Sequence, residues 1–277
     1  MGEMTGDRVA VVTGGASGIG RGMANAFGRR GMRLVLADND EERLAKATQE
    51  LRADGLDAIG VPTDVRDPAA VDALAAAALD KFGRIDVACN NAGVWTLDAQ
   101  WETSLDEWRW VVDVNLWGVI NGVRTFTPIL IDNPDGGWVV NTASVAGLFP
   151  HPFNGPYTAT KHAVVGLSKA LRHELTIRTE GRVGVTVVCP GNVNTEIIDH
   201  LARRPEADKA LPADVQAMYD ATRASVSEGI TADEAGEIIA NTVDNKQFWA
   251  LPAAAAIGGM VSQDMDEIVK AAADQSR

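Results

Sequence analysis

Thr13-Gly14-Gly15-Ala16-Ser17-Gly18-Ile19-Gly20 decides the reading of this chain. The octet follows the small and β-branched run Val9-Ala10-Val11-Val12 and precedes a segment, 19–30, patterned as a helix. Glycines between a buried strand and a helix let the backbone turn sharply and bring its amides up to a pyrophosphate at the helix N-terminus. A tight turn alone would also use glycine, but the strand on one side and the helix on the other favour a phosphate cradle.

The same rhythm repeats outward from the octet. Short β-branched runs at 33–37, 58–61, 85–89, 138–142, 183–188 and 247–251 alternate with helical patterns at 41–54, 69–82, 105–130 and 155–178. Strands that lack apolar-polar alternation are buried on both faces, which requires helices on both sides of the sheet. The expected fold is therefore α/β: a Rossmann-type doubly wound parallel sheet of about seven strands in the order 3-2-1-4-5-6-7. No internal repeat or low-complexity linker interrupts it, so 1–277 reads as one domain. Between 192 and 229 the pattern loosens around Pro205 and Pro212, which makes that stretch a candidate substrate lid. Thr231-Ala-Asp-Glu234 then opens a helix as a capping box, and 262–277 reads as a polar terminal helix with a fraying tail.

Composition narrows the function. With 46% hydrophobic and 23% charged residues the chain has an ample core, and a formal charge of −13 disfavours nucleic acid and anionic membrane surfaces as partners. The N-terminus lacks the apolar core of a signal peptide, Gly6 stands where a myristoylation signal wants Ser or Thr, and no later run reaches membrane-spanning length. A cytoplasmic protein is expected. Cys89 and Cys189 end apolar runs and read as small buried hydrophobes. His162 and His173, eleven apart, do not form a metal pair, so no metal is expected.

The second strand ends at Asp38, about 20 residues beyond the glycines. A carboxylate there accepts hydrogen bonds from adenosine ribose hydroxyls and repels a 2′-phosphate, so NAD is expected over NADP. Arg21 and Arg33 are nearby basic residues able in principle to neutralise such a phosphate. The bland alternative for Asp38, a helix N-cap, is weakened because Asn39 and Asp40 can fill that role. Farther on, Tyr157 and Lys161 lie four apart, on one face of a helix, so an ammonium sits beside a phenol. An adjacent cation favours phenolate, which makes a depressed tyrosine pKa and a usable base the expectation. Ser144, thirteen residues upstream at a strand end, adds a hydroxyl.

Together, the glycine motif at 13–20, Asn90-Asn91-Ala92-Gly93, Asn115, Ser144, Tyr157-x-x-x-Lys161 and Pro190-Gly191-Asn192-Val193-Asn194-Thr195 resemble the short-chain dehydrogenase/reductase family, over about residues 8–195. The resemblance implies hydride transfer between nicotinamide and an alcohol or ketone. It implies that Ser144 holds the reacting oxygen, Tyr157 exchanges its proton, Lys161 binds the nicotinamide ribose, and Asn115 supports a proton relay. It further implies that Gly14, Ser17, Gly18, Ile19 and Gly20 cradle the pyrophosphate and that Asp64 and Val65 border the adenine. Asn91, Ala92, Gly93, Pro190 and Gly191 would line the cofactor, with Val193 and Thr195 orienting the carboxamide. A homotetramer or homodimer through the helices at 105–130 and 155–178 is also implied; Trp108, Trp110 and Trp117 there fit either interface or core.

The loops beyond the strand ends are mostly apolar. Trp95, Val145, Leu148, Phe149, Phe153, Ile197, Ile198 and Met218 are candidates to line a pocket, with His151 as its polar member, so an apolar secondary alcohol or its ketone is the expected small-molecule substrate. Two rivals differ in kind. A 3-oxoacyl thioester reductase of the same family would prefer NADPH and need basic residues for an acidic carrier, which Asp38 and the net charge disfavour. A non-catalytic NAD-binding protein would have no need of the complete Asn-Ser-Tyr-Lys set.

Overall fold

A computed structural model describes residues 7–253 together with 258–259, 261–263, 265–266 and 269–270. The described residues near the C-terminus are helical, as the sequence predicts; the end of that helix and the first six residues lie outside the described set.

The chain alternates β1 (Val9–Thr13), α1 (Gly18–Arg29), β2 (Arg33–Asp38), α2 (Glu41–Ala53), β3 (Ala58–Pro62), α3 (Pro68–Phe82) and β4 (Val87–Asn90). It continues through α4 (Leu105–Val112), α5 (Gly118–Asp132), β5 (Gly137–Thr142), α6 (Gly155–Thr179) and β6 (Val183–Val188). After β6 come β7 (Val193–Asn194), α7 (Ala213–Ser227), β8 (Ile230–Thr231), α8 (Ala232–Asp244) and β9 (Trp249–Ala250). Seven strands form one parallel sheet in the order β3-β2-β1-β4-β5-β6-β9, the expected doubly wound arrangement. The seventh position belongs to β9 because the short parallel pair β7–β8, which the sequence did not signal, forms a separate ribbon.

Period-two alternation divides each strand between two cores. Val9, Val11, Val35 and Val139 face α3, α5 and α6, whereas Ala10, Val12, Leu34, Leu36 and Val140 face α1, α2 and α8. Burial on both faces explains why these strands read as unbroken apolar runs. Side chains at the helix starts fix the elements in place: Asp40 accepts from the Arg43 amide at α2, Asp67 precedes Pro68 at α3, Ser104 caps α4, and Thr231 with Glu234 completes the capping box at α8.

Two regions depart from expectation. The stretch 105–130 is not one regular helix, because a π-helical turn at Asp113–Trp117 separates α4 from α5. Such a turn admits an extra residue and shifts the helix faces on either side of it, with no proline or glycine needed to announce it. The segment 192–229 is also more regular than its prolines suggested. A 3-10 turn at Glu196–Arg203 leads to α7, whose Val215, Met218, Tyr219 and Val226 join an apolar cluster with Trp95 and Tyr157.

Candidate active site

β1 and β4 are neighbours in the sheet, yet the chain leaves β1 toward β2 and β3 and returns to β4 from the far side. The crevice beyond their C-terminal ends is therefore the topological switch point of the sheet, where such folds bind ligands. A cavity of about 420 Å³ opens there. Its lining includes Gly14, Ser17, Gly18, Ile19 and Asp38 at one end, and Ser144, Tyr157 and Lys161 farther along. Gly20 is absent from that lining. It packs behind the loop, where an added Cβ would fall 2.1 Å from the Gly14 carbonyl oxygen.

The glycine loop is built to present backbone. Gly14 (φ +63) and Gly18 (φ +51) occupy the left-handed region that other residues resist, and a Cβ on Gly14 would lie 3.0 Å from the Ala92 Cα. Ser17 makes no side-chain cap to α1, in contrast to the capped starts of α2, α3, α4 and α8, so its first amides remain open to an anion. Thr13 Oγ1 accepts from the amides of Asn91 (2.9 Å) and Ala92 (3.1 Å), and Asn91 Nδ2 donates to the Thr13 carbonyl (3.0 Å), tying the loop after β4 to the end of β1. Asp38 reaches back to the same loop: its Oδ2 accepts from the Ala16 amide at 3.3 Å and its Oδ1 from the Asp40 amide at 3.1 Å. The cap of α2 is Asp40, which leaves the Asp38 carboxylate on the cavity wall.

Asp64 and Val65 also line the cavity. Arg66 pairs with Asp64 at 2.6 Å and holds its carboxyl below the usual range. Val65 is fixed through its carbonyl, which accepts from Asn121 Nδ2 at 2.9 Å. Ala92, Gly93, Pro190, Gly191, Val193 and Thr195 complete the wall. A nicotinamide dinucleotide fits this surface. Its pyrophosphate would meet an uncapped helix end across glycines, its adenosine ribose the Asp38 carboxylate, and its nicotinamide end a Gly93 whose added Cβ would come within 3.5 Å of Lys161 Nζ.

At the reaction end, Ser144 caps the start of the 3-10 turn Val145–Gly147 after β5, its Oγ accepting from the Ala146 amide at 3.1 Å. Tyr157 and Lys161 are both buried on α6. Lys161 Nζ donates to the Thr142 carbonyl at 2.9 Å and lies 5.3 Å from the centre of the Tyr157 ring. Burial pushes the phenol up to about 12, with the Ser144 hydroxyl pulling the other way, and it pushes the ammonium down to about 8. The expected depression of the Tyr157 pKa is thus reversed in the cofactor-free protein, because the loss of water outweighs any pull from an ammonium placed over the ring and bonded to a carbonyl.

Asn115 stands in the π turn, fully buried and outside the cavity lining. Its amide is committed to the Val94 backbone, accepting from the N–H at 2.7 Å and donating to the carbonyl at 2.9 Å.

Of the substrate candidates, Trp95, Val145, His151, Ile197 and Ile198 line the cavity, whereas Leu148, Phe149, Phe153 and Met218 do not. Phe153 instead packs against the cluster of Trp95 and Tyr157, with a left-handed φ of +58. The lining also contains Asn154 and Thr222, which the sequence did not single out, and Trp110, which the sequence assigned to interface or core. Asn154, just before the Gly155-Pro156 start of α6, carried the clearest missed signal. Cys89 and Cys189 are free and buried, no cluster of metal-ligating residues occurs among the described residues, and no described helix is long and apolar enough to cross a membrane.

Comparison with known proteins agrees with this geometry. The family model described as short chain dehydrogenase matches residues 8–206. Two Streptomyces proteins named 1-deoxy-11-beta-hydroxypentalenate dehydrogenase are similar: that of S. exfoliatus is 39% identical over 196 residues, covering 70% of each chain, and that of S. avermitilis is 36% identical over 243 residues, covering 87% of this chain and 82% of its own. A Burkholderia phymatum short chain dehydrogenase/reductase solved in complex with NAD superposes with a TM-score of 0.91 at 40% identity, over 97% of this chain and 96% of that one. A sheet with its switch-point cavity, the motifs that line it and a family match across most of the chain lead to one conclusion: this protein belongs to the short-chain dehydrogenase/reductase family of oxidoreductases.

Proposed function

We propose that the protein is an NAD-linked dehydrogenase or reductase acting on a neutral secondary alcohol or its ketone, with Tyr157 as acid and base. The observation that carries this reading is that Ser144, Tyr157 and Lys161 share one cavity with the Asp38 carboxylate. Asp38 favours a free ribose 2′-hydroxyl over a 2′-phosphate, and the Burkholderia relative was solved with NAD. When bound, NAD supplies the acceptor or donor of the hydride.

The chain's own residues handle the oxygen and its proton. In reduction, Ser144 Oγ donates to the carbonyl oxygen while the Tyr157 phenol delivers its proton as negative charge develops there. In oxidation the same phenol oxygen takes the proton back. Lys161 Nζ holds the nicotinamide ribose, and its charge lowers the cost of phenolate formation once cofactor and substrate complete the site. Asn115 acts through Val94, setting the loop at the mouth of the cavity and the π turn behind the relay path. Segment 192–229 serves as the lid. Trp95, Val145, Ala146, Ile197, Ile198 and Val226 make the substrate end apolar, and partial desolvation shifts the His151 pKa below its ordinary value. The Streptomyces relatives are named for a hydroxyl-bearing carboxylate, which agrees with an alcohol as the reacting group but not with a neutral substrate.

A panel of neutral alicyclic and aryl ketones and their alcohols, assayed with NADH, NADPH and the oxidised forms, tests the reading. NAD-linked turnover of several members is expected. Robust NADPH-linked reduction of an acetoacetyl thioester would overturn it in favour of a thioester reductase, and tight NADH binding without turnover of any member would point to a non-catalytic binder.

A further inference from the structure

The lid is fastened in two different ways. On the cofactor side its 3-10 turn is held to the start of α2 by exposed pairs, Glu196 with Arg43 and Arg203 with Asp40 at 3.9 Å. Exposed pairs of this kind are worth little and exchange readily with water. Immediately afterwards the carboxylate partners are buried, although Lys209 itself is 39% exposed. The Arg204 side chain is 2% exposed and places Nε 3.3 Å from Oε1 of Glu107, which is 1% exposed on α4. Lys209 Nζ reaches Oδ2 of Asp98, also 1% exposed, at 2.8 Å.

Neither carboxylate touches the catalytic residues, and a buried ion pair is seldom more stabilising than apolar residues of the same volume. What these pairs supply is a fixed geometry. Arg204 also donates to the carbonyls of Glu206 (3.1 Å) and Lys209 (2.8 Å), folding 204–209 into a turn that aims Lys209 at Asp98. Asp98 in turn bonds through its amide to the Phe153 carbonyl at 2.8 Å, and it forms a bridge with Asn154. The Asn154 amide, oriented to satisfy both its atoms, accepts from Trp95 Nε1 at 3.2 Å and donates to the Thr96 carbonyl at 3.1 Å. Trp95 and Asn154 both line the substrate end of the cavity, and the Trp95 ring lies 6.5 Å from that of Tyr219 on α7. A continuous set of contacts therefore runs from Glu107 through the lid and back to the substrate wall.

We propose that Glu107, Arg204, Lys209 and Asp98 are positioning residues: they clasp the middle of the lid to the 95–104 loop and the first turn of α4 and so set Trp95 and Asn154 against the substrate, leaving the 196–203 turn as the part that moves. This rests on the reading that this end of the cavity takes the substrate.

Lys209→Met is the variant of choice, because Lys209 is the most exposed of the four and its substitution removes no buried side chain, leaving Asp98 without its cation; Lys209→Arg is the conservative control. Hydrogen exchange, NADH fluorescence titration and steady-state kinetics with cyclohexanone are the readouts. Lys209→Met should speed exchange about tenfold in peptides spanning 94–100 and 150–156 while β1 and β2 are unchanged. It should leave the NADH Kd within about twofold and raise the cyclohexanone KM about tenfold with a smaller change in kcat, and Lys209→Arg should restore both exchange and KM. Faster exchange confined to 204–212 would overturn the proposal, as would an NADH Kd that rises in step with KM. If the unaltered enzyme does not turn over cyclohexanone, exchange at 94–100 and 150–156 still decides the clasp, while the functional reading is judged by the wider panel.

Discussion

Lys161 Nζ sits over the face of the Tyr157 ring, 5.3 Å from its centre, with both residues buried on one helix. Burial lowers the ammonium from 10.5 to about 8, so between those values the unfolded chain binds more protons than the folded one and stability rises with pH. Below pH 8 the cost of the buried charge is present in full. Lys161→Met should therefore stabilise the cofactor-free protein at pH 7 by on the order of 2 kcal/mol, after allowing for the lost bond to the Thr142 carbonyl, and the gain should fade by pH 10.5. Thermal melts across pH 6–10.5 check it; a variant less stable than the parent at pH 7 would contradict the sign. The same variant should lose turnover, as expected where a site holds a group that the fold alone would exclude.

Tyr157→Phe removes the hydroxyl and little else. The ring keeps its place beside Trp95 and Ile198, so NADH affinity should hold within about twofold while turnover falls about 10²–10⁴-fold, the range set by loss of a positioned acid or base. Near-normal activity in this variant would sink the proposed mechanism. A parallel loss of NADH binding would instead mark Tyr157 as part of the cofactor wall.

Asp38→Asn keeps an oxygen able to accept from the Ala16 amide yet removes the charge. The ratio of NADPH to NADH dissociation constants should then fall about 10- to 100-fold, since one repulsion between a carboxylate and a 2′-phosphate is gone. Fluorescence titration of both cofactors measures it, and an unchanged ratio would show that selection lies elsewhere on the wall, with Arg43 the first residue to examine.

The sheet was legible because strands such as Val9-Ala10-Val11-Val12 are buried on both faces, which demands near-continuous apolar runs. The cavity wall was legible where backbone geometry demands glycine, as at Gly14 and Gly18. Other features depend on packing that no local pattern records. The π turn at Asp113–Trp117 contains ordinary helix residues, and the direction of the Tyr157 shift depends on how little water reaches α6. In α7 a signal was present: Val215, Met218, Tyr219, Thr222 and Val226 recur at helical spacing, but Pro205 and Pro212 masked it. Glu107 and Arg204 meet across 97 positions of sequence, a pairing that only the fold brings about.

The contact between α1 and α8 gives the sharpest test of the fold itself. Gly22 and Gly236 face each other across these helices: a Cβ on Gly22 would lie 1.9 Å from the Ala232 carbonyl oxygen, and one on Gly236 would lie 2.2 Å from the Gly22 carbonyl oxygen. Both obstacles are backbone, so relief requires the helices to separate and lift α1, with its phosphate-facing end, away from the crevice. Gly22→Ala should cost about 3 kcal/mol and lower Tm by about 5–10 °C, with weakened NADH binding. Gly166→Ala is the matched control, since its added methyl meets nothing within 4 Å inside α6 and should stabilise by about 0.5–1 kcal/mol through helix propensity alone. Differential scanning calorimetry on the two variants separates the outcomes; equal shifts of the same sign would show that α1 and α8 do not pack through these glycines.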